Sequence, residues 1–164
     1  MSRTLVVYYS LSGKDTESVA KRLAEEFGGD LERLETKTPY PEDYEAAVEQ
    51  GKREAESGFC PELKPLAHDP KDYDCIVVGT PTWWYTMAPA VLSFMRQTDF
   101  AGKTVLPFQT HAGQPGHAIS DMRKETRGAM LFSGLRLEFG KNGLVTPESE
   151  IGEWIAHAKE AIKG

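Results

Sequence analysis

Three short segments hold residue types that could do chemistry. Ser10-Leu11-Ser12-Gly13-Lys14-Asp15-Thr16 joins a β-branched and aromatic run, Thr4 to Tyr9, to a stretch with helical spacing. A polar, Gly-containing turn between a strand and a helix directs its own N–H groups and those of the first helical turn outward. The helix dipole adds partial positive charge, which makes this a phosphate-binding geometry. Hydroxyls of Ser10, Ser12 and Thr16 can donate as well. An ordinary strand-to-helix turn has the same appearance, so the loop alone leaves both readings open. The second segment is Thr80-Pro81-Thr82-Trp83-Trp84-Tyr85. Side chains of adjacent tryptophans rarely both point inward, so one should face a ligand or partner, where a large π face stacks on a flat heteroaromatic. The bland alternative packs one indole beneath a sheet and leaves the other at an interface. The third segment is Gln109-Thr110-His111-Ala112-Gly113-Gln114-Pro115-Gly116-His117. Gly113 and Gly116 let backbone approach a ligand edge with no Cβ in the way. His111 and His117 are candidate proton donors, and each also reads as a loop residue making a backbone hydrogen bond.

The surrounding elements bring these segments together. Helix and strand periods alternate, which predicts parallel βαβ units, and short-range hairpin signals are absent. Val19, Ala20, Leu23, Ala24 and Phe27 share one helical face that stops at Gly28-Gly29. Leu31 to Leu34 reads as a short second strand, and Tyr44, Ala47, Val48 and Ala55 mark an acidic, exposed second helix. A long connection broken by Pro61, Pro65 and Pro70 leads to Cys75-Ile76-Val77-Val78-Gly79, a continuous apolar run suited to a central parallel strand. A third helix starts near Pro89, a fourth strand covers Thr104 to Phe108, and a fourth helix covers Ala118 to Arg127. Leu131 to Leu137 predicts a fifth strand, and Ile151, Trp154, Ile155, Ala158 and Ile162 a last helix opened by Thr146-Pro147. The expected fold is α/β, a doubly wound five-stranded parallel sheet of order 2-1-3-4-5. Ligands of such sheets bind outside the strand carboxyl ends where the order reverses, next to strands one, three and four. Those are the strands from which the three segments leave.

Bulk composition narrows the function classes. The 164 residues fit one domain over 1–164, with 40% apolar and 27% charged residues. A removable signal and a membrane span are not expected, and Leu5 to Tyr9 reads as a strand rather than a leader. Cys60 and Cys75 are the only cysteines, expected as free thiols in a reducing, cytoplasmic setting. A formal charge of −6 argues against nucleic acid and suits basic protein partners or simple solubility. No metal site is expected.

A phosphate cradle, an aromatic segment and a Gly-rich segment at one sheet edge ask for a phosphorylated planar cofactor, and flavin mononucleotide (FMN) has that shape. The chain resembles the flavodoxins, and most closely flavodoxin-like proteins with a Tyr-Tyr-Ser turn after the first strand and Pro-x-Trp-Trp after the third. The matching features are Tyr8-Tyr9-Ser10, Ser12-Gly13, Thr16 with Val19-Ala20, Tyr40-Pro41, Asp72-Tyr73-Asp74, Thr80-Pro81-Thr82-Trp83-Trp84, and Gly102-Lys103-Thr104 leading to Pro107-Phe108. The resemblance implies that Ser10, Ser12, Gly13 and Thr16 hold the FMN phosphate. It further implies that Thr82, Trp83 and Trp84 flank the isoalloxazine while Thr110, His111, Gly113 and Gln114 line its other edge. Lys14, Asp15, Pro81, Tyr85, Ala112 and Gly116 complete the candidate cofactor-binding set. The chain departs from the family's Ser/Thr-x-Ser/Thr-Gly-Asn-Thr loop, because two residues, Lys14 and Asp15, separate Gly13 from Thr16. The Val19-Ala20-Leu23 stripe sets the helix phase and puts the extra residue in the loop, with Asp15 as candidate N-cap and Lys14 available to a phosphate.

The resemblance implies an FMN-binding electron-transfer protein with redox protein partners. A NAD(P)H-dependent quinone reductase using a small quinone-type acceptor is the alternative, and a non-catalytic interaction protein on the same scaffold is a third reading. A phosphorylation-controlled receiver domain is excluded, since Ser10 and Gly79-Thr80 stand where it needs acids. A P-loop hydrolase is excluded because Gly13-Lys14 lacks the earlier glycine and the following hydroxyl residue. Oligomeric state is left open.

Overall fold

The structure is a computed structural model and describes residues 3–163. Strand β1 (Thr4–Tyr8) is followed by helix α1 (Asp15–Phe27), β2 (Asp30–Arg33) and α2 (Tyr44–Ser57). The central strand β3 (Cys75–Trp83) turns into β4 (Thr86–Met87) and leads to α3 (Pro89–Gln97). Then come β5 (Thr104–His111), α4 (Ala118–Lys124), β6 (Met130–Leu131), β7 (Leu135–Gly140), β8 (Gly143–Leu144) and α5 (Glu148–Lys163). The sheet runs β2-β1-β3-β5-β7-β8, with β4 paired to β3 and β6 to β5. The pairs β1·β2, β1·β3, β3·β5 and β5·β7 are parallel, so the expected doubly wound order is present.

Strand alternation divides the core between two faces. Leu5, Val7, Ile76 and Val78 meet Val91, Phe94, Ile119 and Met122 on the face covered by α2, α3 and α4. Val6, Val77, Leu106 and Phe108 meet Val19, Leu23, Ile151, Trp154 and Ile155 on the face covered by α1 and α5. Cys60 and Cys75 are free thiols, exposed and buried respectively. No helix among the described residues is long and apolar enough to cross a membrane.

Several expected boundaries shift, each for a local reason. Among the described residues eight strands replace the expected five, because three two-residue strands border the parallel set. Two hairpins occur where none was anticipated: β3 and β4 joined by Trp84-Tyr85, and β7 and β8 joined by Lys141-Asn142. The second has a glycine at its exit, Gly143 at φ 104°, a backbone that other side chains rarely adopt. The first lacks one, and its backbone is instead held by tertiary contacts described below. Thr80 to Trp83 and Gln109 to His111 lie in strands, not loops, because Thr80 pairs with Gln109 and Pro81 with Thr110 beyond the apolar runs. The fifth strand is split: β6 and β7 both pair with β5, and between them the Ser133 carbonyl accepts the Trp154 indole N–H at 2.7 Å. Helix α4 ends at Lys124, three residues early, where the Thr126 hydroxyl donates to the Arg123 carbonyl at 2.9 Å.

Gly79 permits the β3·β5 pairing that carries the site. A Cβ there would lie 2.0 Å from Phe108 Cζ and 2.3 Å from Cε2, and Phe108 is fully buried. Gly79→Ala is expected to lower the unfolding free energy by about 1–3 kcal/mol through overpacking. Urea denaturation of G79A beside G79A/F108L checks this, since shortening the ring should recover part of the loss.

Candidate functional site

The loop after β1 is built to leave donors free. The Ser10 hydroxyl donates to the Gly13 carbonyl and closes the turn. From β2, Arg33 Nη2 donates to the Ser10 carbonyl at 2.9 Å and ties the loop to the neighbouring strand. Among the described residues, no backbone N–H from Leu11 to Glu17 donates to a protein acceptor. They include the orphan donors of the helix start, and they lie at its positive end. Asp15 is not the N-cap: Lys14 occupies that place with φ −110° and no side-chain cap, and Asp15 opens the helix. The physical reason is that the Lys14 carbonyl already accepts from the Ser18 N–H at 2.8 Å, so helical bonding begins one residue earlier. An exposed carboxylate in the first turn remains favourable with the dipole. Thr16 does not simply face outward, because its hydroxyl is buried against that of Thr110 at 2.7 Å, cross-linking α1 to β5.

The aromatic turn separates the two tryptophans. Trp83 is half-buried and meets Tyr9 and Tyr40 edge-on, with centroids 5.7 and 5.4 Å away. Trp84 and Tyr85 are exposed, at 41% and 53%, and have φ of 49° and 70°. Left-handed backbone at two successive bulky residues is strained and persists only where surroundings impose it. Here the Tyr85 carbonyl accepts from the His117 N–H at 2.7 Å, and the Thr86 hydroxyl donates to Asp121 Oδ2 at 2.6 Å. Gly116 approaches so closely that a Cβ would lie 2.3 Å from the Tyr85 oxygen. The Gly-rich segment thus clamps the aromatic turn.

A third set of bonds joins these parts. Gln109, fully buried, donates from Nε2 to Thr82 Oγ1 at 2.7 Å and to the Pro115 carbonyl at 3.0 Å. Thr82 in turn donates to the Thr110 carbonyl at 2.9 Å. His111 Nδ1 accepts from the Gly113 N–H at 3.0 Å, which leaves its proton on Nε2. Burial holds this imidazole below its ordinary pKa, against an opposing pull from Glu138, so it is neutral at pH 7.

Loops and strand ends together enclose a cleft of about 830 Å³. It brings together Ser10, Ser12, Gly13, Asp15 and Thr16, the whole Pro81 to Tyr85 run, and Thr110, His111, Ala112, Gly113 and Gln114. Lys14, Gly116 and His117 fall outside the lining. Gly116 acts from behind the turn, and His117 faces Asp121, with Nδ1 2.5 Å from Oδ2. The two candidate histidines are therefore in different environments, and only His111 borders the cleft. Sequence reasoning missed Leu11 and the α2 residues Tyr44, Ala47, Val48 and Gly51, which form an additional wall. Ala47 and Gly51, small and one helical turn apart, carried the signal: a face that another group approaches closely. No cluster of three His, Cys, Asp or Glu side chains among the described residues could hold a metal ion.

Solved structures with this fold include flavoproteins and flavodoxins. A protein assigned as a flavoprotein from Bacteroides eggerthii superposes with a TM-score of 0.79 at 25% identity, covering 96% of this chain and 98% of its own. A flavoprotein from Lactobacillus acidophilus, solved in complex with FMN, gives 0.73 at 22% identity over 94% and 99%. Oxidised flavodoxin 1 from Bacillus cereus gives 0.61 at 19% over 99% and 98%. No curated protein matches the sequence. The sequence model of the flavodoxin family matches residues 3–158, nearly the whole of a chain whose loops converge on one cleft at the sheet's switch point, and the protein belongs to that family.

Proposed function

We propose that this protein binds FMN in the cleft and passes electrons through it to a redox protein partner. One observation carries the reading: a cradle of unpaired N–H groups and an exposed aromatic pair line the same cleft. The residues fit the cofactor. A loop and helix start that line the cleft with free backbone donors at Leu11, Ser12, Gly13, Asp15 and Thr16 suit a phosphate dianion, and Gly13 has no heavy atom within 4 Å of its missing Cβ, so nothing obstructs that approach. Trp84 and Tyr85 offer π faces to a planar ring, while the half-buried Trp83 backs the turn against Tyr9 and Tyr40. When bound, FMN supplies one- or two-electron chemistry.

The chain's own residues then bind, orient and restrict access. The free donors of Leu11, Ser12, Gly13, Asp15 and Thr16 would hold the phosphate end. The Gln109–Thr82 and Thr16–Thr110 bonds hold β3, β5 and α1 in register, so the ring end is placed by the strands rather than by a mobile loop. Neutral His111, with Nε2–H as donor, can offer a hydrogen bond to a ring acceptor at the far edge. The related Lactobacillus acidophilus complex supports FMN as the ligand. The unpaired thiols suit a cytoplasmic setting.

Adding FMN to the purified protein is expected to quench flavin fluorescence with a 1:1 endpoint. Protein that leaves flavin emission unaltered refutes the cofactor. Stepwise reductive titration beside steady-state assay with NAD(P)H and a quinone tests the role. Uptake in one-electron steps without turnover supports the carrier, whereas sustained NAD(P)H oxidation would replace it with the quinone reductase.

A further inference from the structure

We propose that Lys52 raises the redox potential of the flavin, acting beside Trp84 from outside the cofactor contacts. The proposal rests on the FMN reading of the cleft. Helix α2 presents two successive residues to the aromatic turn. At Gly51 a Cβ would lie 3.1 Å from Trp83 Cε3, so a side chain here would push the helix and ring apart. That close approach brings the next residue within reach of the second indole: Lys52 Nζ lies 5.1 Å from the Trp84 ring centroid, a cation–π arrangement.

Three observations give the charge an unspent role. Lys52 is only half-exposed, and among the described residues it has no ion pair, whereas its neighbour Arg53 pairs with Glu49 at 3.7 Å. No lysine or arginine lines the cleft, while Asp15 does. The chain as a whole carries −6. Lys52 therefore brings positive charge to the aromatic wall of a site whose one lining carboxylate, Asp15, opposes reduction. Two-electron reduction of FMN with uptake of one proton leaves the cofactor with one more negative charge. The electrons come from an external donor, either a partner reductase or dithionite in the cuvette. A fixed cation nearby lowers the energy of that added charge and leaves the neutral oxidised ring almost unaffected. The left-handed φ of Trp84, held by the contacts behind the turn, keeps the ring from drifting away from the cation.

The test uses FMN-loaded wild type, K52R, K52M and K52E. Potentials are measured against a reference dye, and oxidised FMN affinity by fluorescence titration. In K52M the ratio of reduced to oxidised FMN affinity is expected to fall about fivefold, equivalent to about 20 mV for a two-electron couple. K52E should lower it further, K52R should restore it to within about twofold of wild type, and oxidised affinity should stay within about twofold throughout. High salt should shrink the difference between wild type and K52E. Unchanged potentials in FMN-loaded K52M and K52E overturn the proposal. So does an equal loss of affinity for both oxidation states, which would make Lys52 a merely structural support. A wild type that takes up no FMN overturns the cofactor reading itself, and this proposal with it, an outcome distinct from loaded variants of unaltered potential.

Discussion

Gly13→Asp is expected to abolish FMN binding while sparing riboflavin, which lacks the phosphate. Gly13 sits inside the run of free N–H groups from Leu11 to Glu17, its Cβ position is open for at least 4 Å, and its φ is not left-handed. An aspartate therefore enters without strain and brings a carboxylate to the place where a dianion would sit. Two like unit charges 4 Å apart repel by about 4 kcal/mol at an effective dielectric constant of 20. That corresponds to about a thousandfold in affinity. Parallel fluorescence titrations with FMN and riboflavin measure the difference, and Gly13→Ala, without the charge, should stay within about threefold of wild type. Equal loss of both ligands in G13D would mean that the loop contacts something other than the phosphate.

Gly116→Ala is expected to loosen the aromatic turn without touching the cleft directly. The added Cβ would lie 2.3 Å from the Tyr85 oxygen and 2.6 Å from its Cα, both backbone atoms that cannot swing aside, and φ is +57°. Overpacking contributes about 1–3 kcal/mol, and left-handed backbone with a side chain about 1–2 kcal/mol more. Trp84 and Tyr85 keep their own left-handed backbone only while the 113–117 segment holds them, so the site should loosen together with the fold. We expect a fall of about 2–5 kcal/mol in unfolding free energy and at least a tenfold loss of FMN affinity, on the order of the strain released at the turn. Gly58, the α2 C-cap at φ +70° with open space around it, provides the comparison. G58A carries the backbone penalty alone, so a G116A protein no less stable than G58A, with full FMN affinity, would show that the close approach at Tyr85 has no bearing on the site.

Much of the fold could be read from local pattern. The Cys75 to Gly79 run, the Val19-Leu23 stripe and the Ile151 to Ile162 face are set by burial, and burial leaves a period in the sequence. Where polar residues carry the structure the period disappears. Thr80, Thr82, Gln109 and Thr110 extend β3 and β5 by hydrogen bonds across strands more than 20 residues apart, and nothing local announces them. The β3–β4 turn is a stronger case, because Trp84 and Tyr85 oppose its backbone conformation and contacts from the 113–117 segment impose it. In the site, loop residues were recognisable from unusual composition, whereas Tyr44 and Val48 belong to a helix that looks like any exposed acidic helix, with only the small pair Ala47 and Gly51 to mark a close approach.

By itself the sequence determined the succession of the main parallel strands and helices, the polar turn between the first strand and the first helix, the presence of an aromatic pair and the convergence of three segments at one sheet edge. Each follows from residue type, spacing or the topology of a parallel sheet. Tertiary structure alone decided which tryptophan is half-buried and which is exposed, that Lys14 rather than Asp15 caps α1, that His111 borders the cleft while His117 turns to Asp121, and that α2 supplies a wall. The reason is physical: these outcomes depend on hydrogen bonds and close contacts between elements far apart in the chain, and such contacts leave no periodic trace in the residues that make them.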